Sequence, residues 1–152
     1  MAHTCTACIV TCEDFRLHRR RDGQSAVDQI AVAVVGGDYD LITRAGGVQD
    51  LVRGPEEYAQ SLLRDIGISV EKHSAGTVCL MNHADCGAYG HTRFSGPEDE
   101  FARHHADLLN AAAVVRKRFP SVRVILAFAS LGSRGGDHYE ARLVEDSASQ
   151  TR

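Results

Sequence analysis

The chain has 152 residues, of which 43% are hydrophobic and 24% charged, with a formal net charge of −3. That length supports a sizeable core in one domain, and the mildly acidic balance argues against a basic nucleic-acid or membrane-surface protein. No apolar run reaches the roughly 20 residues that span a bilayer, and Met1-Ala2-His3-Thr4-Cys5 lacks the pattern of a secretory signal, so the expected location is cytoplasmic.

Cys5, Cys8, Cys12, Cys79 and Cys86 are odd in number. In a reducing compartment they are expected as thiols or metal ligands, not as a disulfide framework. Residues 5–12 read as a short buried strand on which Cys5 and Cys8 face opposite sides as small core residues. Cys12 is followed by Asp14 and Arg16 at the same parity, so an extended segment turns all three one way and lets Asp14 and Arg16 pair. Arg19-Arg20-Arg21 reads as a solvated turn. Gln24 to Val35 places Val27, Ile30, Ala31 and Val34 at helical spacing, although Ala31–Val35 also reads as strand. Tyr39 to Thr43 is a second strand, ending at Arg44-Ala45-Gly46-Gly47, where paired glycines mark either a turn or a close approach to a ligand.

Pro55, Glu56 and Glu57 open a helix with Tyr58, Leu62, Leu63 and Ile66 as its apolar stripe and Gly67 as its C-terminal cap. Ile68 to Lys72 is a short link. Thr77 to Met81 is a third strand that delivers His83 and Cys86. Glu98 to Arg118 is a long helix, with Phe101, His105, Leu108, Leu109, Ala112, Val115 and Phe119 along one side and the adjacent His104 and His105 read as helix-face residues. Pro120 stops it. Val122 to Ala129 is the clearest strand, Leu131 to Gly136 a turn, and Tyr139 to Val144 a final edge strand. One domain over residues 1–152 is expected, with a frayed tail from Glu145 to Arg152. Strands alternating with helices predict an α/β fold, a mainly parallel β-sheet flanked by helices.

The chemistry concentrates at strand ends. His83-x-x-Cys86 offers imidazole and thiolate, favoured zinc ligands, and Cys12 is the best third. Three ligands leave a fourth position open, as in a catalytic zinc, which brings the pKa of bound water to about 7. Asp14 is placed to accept a hydrogen bond from that water, or to bind zinc itself. Cys12, Gly46-Gly47 and His83-x-x-Cys86 all fall at carboxyl ends of strands, where sites form in such sheets.

Cys12-x-Asp14-x-Arg16 followed by His83-x-x-Cys86-Gly87 resembles the paired signature of β-class carbonic anhydrases. The Ala45-Gly46-Gly47 turn is similar too, with Thr43 and Arg44 where the family has Arg-Asn, and Asn82 to Gly90 looks closer still to a small divergent branch of that family. The resemblance implies a β-carbonic-anhydrase-like fold and zinc (Zn2+) on Cys12, His83 and Cys86. It implies Arg16 holding Asp14 off the metal, and the Gly46-Gly47 turn on the substrate side. The reaction would be reversible hydration of carbon dioxide to bicarbonate by a zinc-bound hydroxide, in a homodimer or higher homo-oligomer. His18, His91 or external buffer are the candidate proton carriers. Two other readings are hydrolysis of carbonyl sulfide or carbon disulfide on the same zinc, and a non-catalytic zinc-binding protein of the same fold.

Overall fold

The computed structural model describes residues 3–20, 23–90, 93–132 and 138–146. Three apolar runs become the central strands β1 (Ala7–Cys12), β3 (Thr77–His83) and β4 (Arg123–Leu131), and β1 and β3 are buried along their whole length. Burial on both faces explains why these runs are continuously apolar and do not alternate. With the edge strands β2 (Tyr39–Arg44) and β5 (Tyr139–Asp146) they form one sheet in the order β2-β1-β3-β4-β5. The first four strands are parallel, and β5 runs antiparallel to β4.

Chain direction reverses its march across the sheet at β1, which has β2 on one side and β3 on the other. Parallel sheets open a crevice at the carboxyl ends of strands flanking such a switch point. Cys12 ends β1 and His83 ends β3, so both fall on the rim of that crevice.

Side chains alternate across the sheet, so each strand feeds two cores. Cys8, Val10, Val78, Leu80, Val124 and Leu126 pack under α3 (Gln49–Val52), α4 (Glu56–Gly67) and α5 (Pro97–Arg118). Ile9, Cys79, Met81, Ile125 and Ala127 pack on the opposite face under α1 (Phe15–His18) and α2 (Ala26–Ile30). Ser25 opens α2 with a reciprocal cap: its Oγ accepts from the Asp28 N–H at 3.0 Å, and its own N–H donates to Asp28 Oδ2 at 2.9 Å.

Several expectations change. Ala31–Val35 is not a strand but a π-helical turn continuing α2, closed by the Gly36 N–H on Ala31 O. Gly67 does not cap α4: the helix runs on through a second π turn, Ile68–Lys72. A Cβ at Gly67 would stand 3.5 Å from the Phe119 ring, an ordinary contact, so this glycine is simply a helical residue. Asp14 and Arg16 are not on an extended segment, because Asp14 is the N-cap of α1. Cys5 precedes β1, so strand alternation does not reach it, and Cys5 and Cys8 both approach Ser69 instead of facing apart. His104 is fully buried, whereas Leu109, expected on the apolar stripe, is 41% exposed. Glu145 and Asp146 belong to β5, with Asp146 bonded to Arg123, and are not a frayed tail. Residues 147–152 lie outside the described residues, as do Arg21, His91 and most of the predicted 131–136 turn. Among the described residues no helix is long and apolar enough to cross a membrane.

Candidate metal centre

Strand geometry brings Cys12 and His83 together, and the short turn Ala84-Asp85 returns Cys86 to them. Asp85 makes that return at φ 58, a left-handed backbone that aspartate tolerates better than most residues. One donor atom from each of Cys12, His83 and Cys86 lies within 4.8 Å of the others, and all three residues are buried. The two sulfurs are 4.0 Å apart across 74 residues of sequence.

His83 is oriented from behind. Its Nδ1 lies 2.8 Å from Ala84 O and 3.3 Å from the Tyr139 hydroxyl, which itself donates to Ala84 O at 2.7 Å. A carbonyl partner places the proton on Nδ1 and leaves the Nε2 lone pair free. Nε2 is buried with no hydrogen-bond partner among the described residues. An orphaned imidazole nitrogen facing two thiols is a donor set that suits zinc. The thiols are linked: the Cys86 thiol beside it pulls Cys12 down, while the neighbouring Cys12 and burial push Cys86 up. Holding both as thiolates therefore calls for a cation between them.

Asp14 faces this cluster, with Oδ2 4.0 Å from His83 Nε2. Its Oδ1 accepts the N-cap bond from Arg16 N at 3.0 Å and another from Arg16 Nε at 3.0 Å, and Oδ2 accepts from Nη2 at 2.7 Å. Those bonds to Arg16 hold the carboxyl down to about 2. Arg16 is fixed in turn by Asp85, donating from Nη1 to Oδ2 at 2.9 Å and from Nη2 to the carbonyl at 3.1 Å. Its guanidinium also stands 5.3 Å from the centre of the Tyr139 ring. Asp85 and Tyr139 are thus site residues that the sequence reading passed over. Asp85 lies inside the His83-x-x-Cys86 spacing, while Tyr139 arrives from an antiparallel strand that no local pattern connects to the site.

The Gly46-Gly47 turn packs against the same rim. Gly47 has φ 59, and a Cβ there would meet Asn82 Oδ1 at 2.6 Å and Cys12 N at 3.4 Å. Its positive φ and the close approach of Asn82 Oδ1 account for Gly47. His18 Nε2 lies 3.1 Å from Cys12 O, against the back of the cluster.

Beneath the metal cluster runs a buried polar chain. Asn82 accepts from Val48 N at 3.2 Å and donates from Nδ2 to the Tyr89 hydroxyl at 3.1 Å, with His104 Nδ1 at 3.0 Å. Tyr89 donates to Asp107 at 2.8 Å, and Arg53 grips Asp107 bidentately at 2.9 and 2.7 Å. Burial lowers His104 to about 4, so it stays neutral and can accept through Nδ1. The signal available in sequence was Asn82 itself, since an amide inside an apolar strand needs buried partners. Arg53→Ala leaves the Asp107 carboxylate, 2% exposed, without its counter-charge. Breaking such a pair costs about 3–5 kcal/mol, and the 42% exposure of Arg53 lets water recover part of it. Thermal unfolding should therefore show a midpoint lower by roughly 5–10 °C. A shift of a degree or less would make this an ordinary surface bridge.

A family model described as "Putative carbonic anhydrase" matches residues 2–133. An uncharacterized protein of Rickettsia conorii is 26% identical over 121 residues, which cover 76% of this chain and 62% of that protein. An uncharacterized protein of Rickettsia bellii is also 26% identical over 121 residues, 76% of this chain and 71% of the relative. The chain therefore spans less than two thirds of the first relative's length. Among solved structures it resembles β-carbonic anhydrase isoform I of Trichomonas vaginalis, with TM-score 0.58 and 17% identity over 95% of this chain and 85% of that one. It also resembles the carbonic anhydrase of Streptococcus mutans, with TM-score 0.55 and 17% identity over 91% and 81%. At such identities the likeness is one of fold.

Proposed function

The chain belongs to the family described as "Putative carbonic anhydrase", and from that premise we propose that it catalyses the zinc-dependent, reversible hydration of carbon dioxide to bicarbonate. The observation that carries this reading is the buried His83 Nε2, unpartnered among the described residues, beside two thiols and faced by a carboxylate that Arg16 restrains. Cys12 Sγ, Cys86 Sγ and His83 Nε2 are the metal donors. Zinc held by three such ligands supplies Lewis acidity that makes water a nucleophile near neutral pH.

The chain's own residues do the rest. Ala84 O and the Tyr139 hydroxyl keep His83 in the tautomer that offers Nε2. Asp14 Oδ2 accepts a hydrogen bond from the reacting water and so fixes its orientation. Arg16, held by Asp85 and Tyr139, keeps that carboxylate ionised and turned to its post. The Gly46-Gly47 turn borders the substrate side through its contact with the end of β1. A homodimer or higher homo-oligomer belongs to the same reading: Phe15, next to Asp14, and Leu41, on edge strand β2, are exposed apolar side chains that a partner would cover.

Stopped-flow hydration of carbon dioxide by zinc-loaded protein tests the proposal. The rate should exceed background and rise from neutral toward alkaline pH. Zinc-loaded protein at the background rate throughout refutes it. Turnover of carbonyl sulfide in place of carbon dioxide would keep the site and overturn the substrate.

A further inference from the structure

A second group of metal-ligating side chains lies at the other end of the sheet. Cys5 precedes β1, Asp40 lies in β2, and His73 follows the π turn after α4. Donor atoms of Cys5, Asp40 and His73 all lie within 4.8 Å of one another, and all three residues are half-buried. Cys5 and Cys12 are separated by seven residues of nearly extended chain, about 23 Å, so this group is remote from the Cys12–His83–Cys86 cluster.

The three segments are already fixed to one another by backbone bonds. The Cys5 N–H donates to His73 O at 2.9 Å, and the Thr6 N–H donates to Asp38 O at 2.8 Å. The Gly76 N–H returns to Thr6 O at 3.2 Å. Bringing the ligands together therefore adds no loop-closure cost beyond folding itself. The side chains converge on one carboxylate oxygen. Asp40 Oδ2 lies 2.6 Å from His73 Nδ1, 2.6 Å from Ser69 Oγ and 3.7 Å from Cys5 Sγ. Ser69 Oγ also lies 3.9 Å from Cys5 Sγ.

Each of these groups hydrogen-bonds in place, and the Cys5 thiol also donates to Ala7 O at 3.3 Å. What points to a cation is the donor set itself, a thiol, an imidazole and a carboxylate gathered from three separate segments. We propose that Cys5, Asp40 and His73 form a second binding site for a borderline-soft divalent cation, zinc being the best match, with water or Ser69 Oγ completing four ligands. A set of one thiolate, one imidazole and one carboxylate disfavours magnesium and calcium, which prefer oxygen alone. Cys8 is fully buried in β1 and lies outside this donor cluster.

Such a cation would tie the segment before β1 to β2 and to the turn after α4. Because it binds only the folded arrangement, it raises stability with free zinc concentration. Its half-exposed ligands make it the more readily exchanged of the two sites.

The test uses the full chain with the first cluster disabled by Cys86→Ser. After dialysis against zinc and removal of loosely held metal, this variant should retain one zinc per chain, and its melting temperature should rise with added zinc. Adding Cys5→Ser or His73→Gln should abolish both. Cobalt serves as a second probe: a thiolate-to-cobalt charge-transfer band should persist in Cys86→Ser and vanish when Cys5 is also replaced. Should the double variants not fold, Cys5→Ser in the otherwise intact chain should lower zinc from two per chain to one and leave carbon dioxide hydration unchanged. Zinc-free Cys86→Ser protein overturns the site, and so does bound zinc that survives replacement of both Cys5 and His73. Neither result bears on the proposed hydration activity, which depends on Cys12, His83 and Cys86.

Discussion

Cys86→Ser is expected to lose one zinc per chain and to return carbon dioxide hydration to the uncatalysed rate. A serine hydroxyl does not ionise near neutral pH, so it cannot replace a thiolate that faces a second sulfur at 4.0 Å. Cys12 and His83 alone are two ligands, too few to hold zinc against dilution. The expected change is thus the whole catalytic rate, not a fraction of it. Metal analysis read beside the hydration rate checks this. Full activity with full zinc in the variant would remove Cys86 from the ligand set.

Asp14→Asn should keep its zinc and lose about 100-fold or more in kcat/KM, the scale on which a positioned proton-accepting group acts. The amide preserves shape but replaces one acceptor oxygen with a donor. Arg16 presents Nε, Nη2 and its backbone N–H to this side chain, all of them donors. Whichever way the amide turns, its NH2 takes a place where Asp14 accepts from Arg16, because both carboxylate oxygens do so. Because Arg16 holds the Asp14 carboxyl down to about 2, the group is ionised at every pH where the assay is run. The loss should therefore be equally deep from neutral to alkaline pH. Stability carries a second signature. A carboxylate with a depressed folded pKa stabilises the fold above its unfolded value near 3.9, and that contribution is lost as pH falls toward 2. The variant should lack this part of the acid transition. Unchanged kinetics would end the positioning role, whatever happened to stability.

The central architecture could be read from pattern because β1, β3 and β4 are buried on both faces, and short continuous apolar runs bounded by turn residues are what such strands require. The convergence of Cys12 with His83 followed from the same reasoning, since both stand at carboxyl ends of strands in a parallel sheet. What escaped were features that depart from a local signal. Gly67 looks like a helix stop, yet it keeps a helical backbone and the chain runs on into the second π turn. Spacing put His105 on the apolar side, but the helix turns His104 inward, where it joins the buried Asn82–Tyr89–Asp107 chain. Cys5 and Cys8 follow strand alternation only if Cys5 is in the strand, and it is not.

The reach of Tyr139 has a consequence for inheritance. The family model ends at residue 133, so the three candidate ligands and Asp14 with Arg16 fall inside the shared span, while the hydroxyl that steadies His83 comes from beyond it. The candidate ligands and the group that orients one of them are thereby written in separate stretches of the gene. Relatives that keep the first stretch and diverge in the second would share the candidate ligands but lack the hydroxyl beside His83. Trimming the chain at the family boundary would leave β4 as a bare sheet edge and strip His83 of one of the two groups that hold its ring.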